Sequence, residues 1–170
     1  MIVVLDSGVV GLVTTPNATG EAAACKAWLR AHGDAGTTVV LPDIIDYETR
    51  RALLHRGFAG RLRELDALAQ TVLTVRVTRA VLLDAAGLWA EARQAGRKTS
   101  DDRALDVDVI LCAQARSLAG AGVPPAVVAT TNVRHLAPSV DARRWVDVPV
   151  PGGSRGGGAA SLTPGPSLPP

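Results

Sequence analysis

The chain opens MIVVLDSG (residues 1–8), and the reading of this stretch decides the fold. Ile2-Val3-Val4-Leu5 is an unbroken apolar run that ends on the acid Asp6, with Ser7 and Gly8 behind it. A continuous apolar run, as opposed to an alternating one, marks a strand covered on both faces, the condition of a parallel sheet. Working outward, Thr38-Val39-Val40-Leu41, Val72-Leu73-Thr74-Val75 and Ala126-Val127-Val128-Ala129 repeat the pattern. Trp145-Val146-Asp147-Val148 reads as a short last strand. Helical stretches lie between them, near 18–32, 43–56, 59–71, 79–95 and 106–119. In the fourth, Thr78 is placed to cap, Val81, Ala85, Leu88 and Trp89 recur at helical spacing, and Gly96 follows its end. Strands alternating with helices through right-handed crossovers predict an α/β chain, a three-layer α/β/α sandwich on a parallel, mostly five-stranded sheet.

Composition bounds what such a chain does. Its 170 residues suit one domain, and 47% hydrophobic residues exclude wholesale disorder. The last twenty, PGGSRGGGAASLTPGPSLPP, hold six of the 17 glycines and five of the 11 prolines. With only Leu162 and Leu168 as large apolar side chains, residues 151–170 predict a disordered tail on a folded domain of 1–150. No apolar run reaches the roughly 18 residues of a membrane span, and the acid at Asp6 does not fit a signal peptide, so a cytoplasmic protein is expected. Two cysteines, Cys25 and Cys112, are too few for a disulfide framework or a structural zinc site, and their Ala-rich surroundings predict inert, buried thiols. His32, His55 and His135 show no ligand spacing. Metal chemistry would have to run on carboxylates.

Ligand sites of open parallel sheets lie at the carboxyl ends of the strands. Asp6 follows the first strand there, with Gly8 permitting close approach, and Asn132 follows the fourth, after Thr130 and Thr131. Two further acids come from helices. Glu48 lies in LPDIIDYETRRALLHR, sharing a face with Ile44 and Arg51 and near Asp43 and Asp46. Asp108 lies in LDVDVILCAQA; it and Asp106 are about 200° apart on a helix, so only one faces a given site. Asp106 is better placed as helix N-cap and Asp108 as the inward acid, although spacing alone leaves the third acid open between them. Each acid by itself is an ordinary cap, turn or solvated residue. Together they are more informative.

Four pieces, VVLDSG, YETRRALL, DVDVILCAQA and VATTNVRHL, resemble in order and spacing a PIN-domain ribonuclease, and within that superfamily a VapC-type toxin of a toxin–antitoxin pair. The resemblance covers residues 1 to about 148. It implies a PIN-like fold and RNA cleavage with Mg²⁺ or Mn²⁺, leaving a 5′-phosphate and a 3′-hydroxyl. Carried over by position, the metal-site acids fall on Asp6, Glu48 and Asp108, and the fourth polar position of the catalytic set falls on Asn132. It further implies an RNA substrate, a cognate antitoxin protein and often a homodimer. Carboxylate oxygens suit such hard cations, and three unneutralised acids in one pocket would raise at least one pKa.

RNA contact would come from rim arginines, with Arg50, Arg51, Arg97, Lys98 and Arg103 as candidates, and the polar loop 96–105 placed to lie over substrate. Arg134 and His135 read slightly better as ordinary surface, and no aromatic platform for bases is visible. For the partner, an apolar groove is expected between the helices of 43–71, around Phe58, the only phenylalanine. The runner-up function is a non-catalytic PIN-like module that binds RNA or protein. A phospho-accepting switch lacks a lysine after its last strand, and a haloacid-dehalogenase-like phosphatase would need an acid where Gly8 stands.

Overall fold

Val3 pairs with Val39 on one side and Val127 on the other, so the opening strand sits at the centre of the sheet. The computed structural model describes residues 1–96 and 102–152. Along the chain run β1 (Ile2–Leu5), α1 (Ser7–Val13), α2 (Gly20–Asp34), β2 (Thr38–Pro42), α3 (Asp43–His55) and α4 (Ala59–Thr71). They are followed by β3 (Leu73–Val75), α5 (Arg79–Gln94), α6 (Asp102–Arg116), β4 (Ala126–Thr130), α7 (Val133–Leu136) and β5 (Ala142–Arg144). The sheet is parallel throughout, in the order β3-β2-β1-β4-β5. The crossovers that carry α1–α4 step one way along it and those that carry α5–α7 step the other. Right-handed connections therefore divide the helices between its two faces, giving the expected α/β/α layers.

The side chains explain this order. Every residue of β1 is buried, as are the last four of β2 and of β4, so the three central strands are covered on both faces. The edge strands β3 and β5 have three residues each and are largely exposed, which limits the unpaired edge. In α5, Thr78 Oγ1 accepts from Val81 N at 3.3 Å, and Val81, Ala85 and Leu88 are buried as expected. Trp89 is not; it stays 39% exposed, with Arg93 over its ring. Gly57, at φ 68°, closes α3. Phe58 N donates to Leu53 O at 3.0 Å and Gly57 N to Leu54 O at 3.1 Å, the Schellman turn that sets the α3–α4 corner. Both cysteines are buried, and burial pushes each thiol up to about 12, consistent with inert thiols.

Three expectations are corrected. The last strand is Ala142–Arg144, and Trp145–Asp147 form a 3-10 turn instead. Trp145 packs edge-on to Trp28 at 5.8 Å, and Trp28 Nε1 donates to Val148 O at 3.1 Å, so this apolar segment docks on α2 and not on the sheet. The helix expected at 106–119 is Asp102–Arg116, which puts Asp106 inside it, so Asp106 is no N-cap. Two short helices, α1 and α7, were not expected at all. The predicted tail falls outside the described residues from 153 onward, as do Arg97, Lys98, most of the loop 96–105 and the side chain of Arg103.

Candidate metal centre

The carboxyl ends of β2, β1 and β4 lie side by side, and each delivers a polar element to one edge. Asp6 leaves β1 as the N-cap of α1, its Oδ1 accepting from Ser7 N at 2.7 Å. Its Oδ2 accepts from the Thr130 hydroxyl at 2.6 Å, and its N–H donates to Ala129 O at 3.1 Å. Thr130 is fully buried at the end of β4, and its oxygen accepts from Asn132 N at 2.9 Å. One hydroxyl thus joins Asp6 to the backbone of Asn132, whose side chain is exposed. A Cβ at Gly8 would overlap the Thr131 hydroxyl, which is the close approach that glycine allows.

Glu48 and Asp108 arrive on helices. Ile45, Thr49 and Leu53 form the buried stripe of α3, and Glu48 flanks it half-buried. Asp108 lies among the buried Val107, Val109, Leu111 and Cys112 of α6, its side chain 25% exposed. Burial first, and then the charges of Asp6 and Glu48, push its carboxyl up from 3.8 to about 6. His135, on α7, works against that rise, with Nδ1 at 3.7 Å from Asp108 Oδ2. The packing therefore brings Asp6 and Glu48 within electrostatic reach of Asp108. Asp106 is exposed, on the far side of α6 beside Leu82 and Trp89.

Sequence reasoning missed three residues of this edge. His135, read from the sequence as ordinary surface, is one, since only the fold sets it 3.7 Å from Asp108. Thr130 is another; its signal was the Thr doublet ahead of Asn132. The third is Gln114, fully buried on α6, whose Oε1 accepts from Ile44 N at 3.3 Å while its Nε2 donates to Val75 O. It ties α6, which carries Asp108, to the first turn of α3, which carries Glu48. A lone Gln in the apolar run VILCAQA was the trace it left.

The donor chemistry fits a hard divalent cation, since all three acids offer carboxylate oxygens. Among the described residues no three His, Cys, Asp or Glu side chains are gathered closely enough to hold one ion between them. Mg²⁺ commonly keeps several waters and takes only one or two carboxylates directly. Each Asp6 oxygen accepts one hydrogen bond and retains a lone pair for such a ligand.

Of the rim arginines, Arg50 is spent on other partners. It pairs with Asp46 at 3.0 Å and Asp66 at 2.7 Å, an ion-pair network that joins α3 to α4. Arg51 and Arg134 are exposed. Phe58, 44% exposed, stands at the α3–α4 corner. A separate cavity of about 560 Å³ opens between α2 and α4 at the amino ends of β2 and β3, lined by Leu29, Leu68 and Val72 with Lys26 and Arg30.

No family model and no curated protein matches the sequence. Solved structures do match. A chain in the crystal structure of VapBC2 from Rickettsia felis, bound to a DNA fragment from their promoter, superposes with a TM-score of 0.62 at 14% identity, over 85% of this chain and 99% of that one. A chain of VapBC-1 from nontypeable Haemophilus influenzae gives 0.59 at 17% identity, over 86% and 99%. At such identities the likeness speaks for architecture alone, a PIN-like three-layer sandwich shared with these chains of VapBC complexes.

Proposed function

We propose that this chain is a divalent-metal-dependent endoribonuclease of the VapC type, the toxin of a toxin–antitoxin pair, acting in the cytoplasm. The observation that supports the reading is that the half-buried Asp108, at the carboxyl edge of a PIN-like sheet, feels the charges of both Asp6 and Glu48. Asp6, Glu48 and Asp108 are read as the ligands of Mg²⁺ or Mn²⁺, with Asn132 on the rim of the same site. Bound there, the cation supplies an acidified water and neutralises charge on the leaving oxygen of the scissile phosphate. Thr130 and the Ser7 N–H hold the Asp6 carboxylate in one orientation, so its position does not have to be organised during the reaction. Asn132 offers an amide that both donates and accepts, suited to orient water or phosphate. No nucleophilic cysteine or histidine is required.

Partners follow from the same reading: an RNA substrate, an antitoxin protein and a second copy of the chain as homodimer. The wide spacing of the acids favours one other reading, a non-catalytic PIN-like module that binds RNA or protein. The two separate in one assay. Purified chain is incubated with single-stranded RNA in Mg²⁺, in Mn²⁺ and in chelator, alongside Asp6→Asn. Cleavage that needs the metal and Asp6 supports the nuclease; RNA bound but left intact in both metals, by wild type and variant alike, means the module.

A further inference from the structure

Tyr47 is the only tyrosine of the chain, and it stands 58% exposed on α3 immediately before Glu48. The Arg51 guanidinium lies over its ring, 5.3 Å from the centroid. At 100° per residue, Arg51 falls about 60° round the helix from Glu48, and Tyr47 about 40° further. The pair thus occupies the exposed flank of α3 next to the acid. While its neighbour Arg50 is held by Asp46 and Asp66, Arg51 has no carboxylate partner among the described residues.

We propose that Tyr47 and Arg51 form a subsite for single-stranded nucleic acid, with an unpaired base stacked on the tyrosine ring and a backbone phosphate on the guanidinium. This rests on the nuclease reading and adds to it where the strand runs. The sheet order puts α3, Asp6 and the β4–α7 turn in sequence along one edge. A strand laid across the acids leaves that edge over the α3 flank, where Tyr47 and Arg51 meet it. Aromatic faces take any base, and a cation set against the ring serves the phosphate that follows, the combination on which non-specific single-strand sites are built. A duplex keeps its bases paired and gives the ring nothing to stack on. The stripe continues through Leu54, 61% exposed, to Phe58, but these lie towards the other end of the helix, about 10 Å or more from Tyr47 along its axis. The guanidinium set over a ring, that of Arg51, belongs to the part beside Glu48.

The test uses the full chain as Asp6→Asn, so that RNA stays intact, with its single tyrosine replaced by ring-fluorinated tyrosine and observed by fluorine NMR in Mg²⁺. Single-stranded RNA of about ten nucleotides should shift the resonance saturably, and the matching duplex should not. Tyr47→Ala should weaken single-strand binding about ten-fold and Tyr47→Phe should leave it unchanged. Circular dichroism checks that both variants fold. RNA that binds without moving the resonance, and equally well to Tyr47→Ala, overturns the subsite while leaving the nuclease reading in place. Absence of RNA binding by any form, wild type included, overturns both. A resonance that moves with protein concentration in the absence of RNA assigns this face to a second copy of the chain, and the proposal is then wrong.

Discussion

Asp108→Asn should make the metal-free protein more stable while removing its response to Mg²⁺. The carboxyl of Asp108 is pushed up from 3.8 to about 6, first by burial and then by Asp6 and Glu48. The sign follows from linkage. Below the ordinary value the group is protonated whether the chain is folded or not, and nothing is lost. As pH rises from about 4 to about 6, the unfolded chain gives up the proton while the folded chain still holds it, so stability falls across that window and levels off above about 6. At about 1.4 kcal/mol per pH unit the full cost is about 3 kcal/mol. The side chain is one-quarter exposed, so solvent takes a share and a gain of about 1–3 kcal/mol is the realistic range. Asparagine has the shape of the neutral acid and does not ionise, so the variant escapes the cost. At about 2–4 °C per kcal/mol, thermal melts near pH 8 should rise by about 2–12 °C over wild type, and melts near pH 4 should coincide. Mg²⁺ at about ten times its Kd should add about 1.4 kcal/mol to wild type and little to the variant. A variant less stable than wild type near pH 8, or one that gains as much from Mg²⁺, would refute the placement of Asp108 in the metal site.

Further tests address the shell around that site and the surfaces beyond it. Thr130→Val removes the donor to Asp6 and the acceptor for Asn132 N, and should cost about 1–3 kcal/mol in denaturant unfolding together with most metal-dependent cleavage; Thr130→Ser should restore both. Gln114→Ala leaves Ile44 N–H and Val75 C=O without their buried partner, for a loss of about 2–4 kcal/mol, and unaltered unfolding would mean that these bonds are replaced by water. Phe58→Ala should stay folded yet lose capture of the protein encoded by a neighbouring small gene. Unchanged capture, coupled with loss on Arg30→Glu, would move the partner groove to the α2–α4 cavity. Deleting residues 151–170 should alter the melting temperature by less than the roughly 2–4 °C of 1 kcal/mol, and a larger fall would show that the segment docks.

The central sheet was legible because β1, β2 and β4 are buried on both faces, and that burial writes itself as unbroken β-branched runs. Edge strand β5 left no such mark. Its two arginines are exposed and only Ala142 packs inward, so Ala142-Arg143-Arg144 carries little apolar signal, while the apolar WVDV beside it is spent on Trp28. Helix α1 hid because its Val9, Val10 and Val13 are as apolar as the strand before it, and α7 because four residues are too few to show a period. At the site, Asp6 and Asn132 followed from topology, whereas Glu48 and Asp108 stood as candidates among neighbouring acids until the family resemblance placed the metal-site positions on them. The roles of Thr130, Gln114 and His135 exist only between elements distant in sequence. No local pattern encodes them.

The three acids are held in different ways, and this shapes how the edge behaves. Asp6 is fixed by the backbone of β1 and by two donors, so its carboxylate has little freedom. Glu48 and Asp108 ride on separate helices, and their like charges repel across α3 and α6, a smaller contribution to the raised carboxyl of Asp108 than burial or Asp6. A polar bond that resists this push is the one from Ile44 N to Gln114, one helical turn before Glu48 and six residues after Asp108. Neutralising the acids, by a cation or by protonation, removes the push and leaves the bond. Gln114 and the charge between the helices therefore act on the same coordinate, the α3–α6 separation. Gln114→Ala and Asp108→Asn should then be non-additive, with the double variant recovering part of what Gln114→Ala loses near pH 8 and none of it near pH 4. A strictly additive pair at about pH 8 would mean that α3 and α6 are held apart by packing alone.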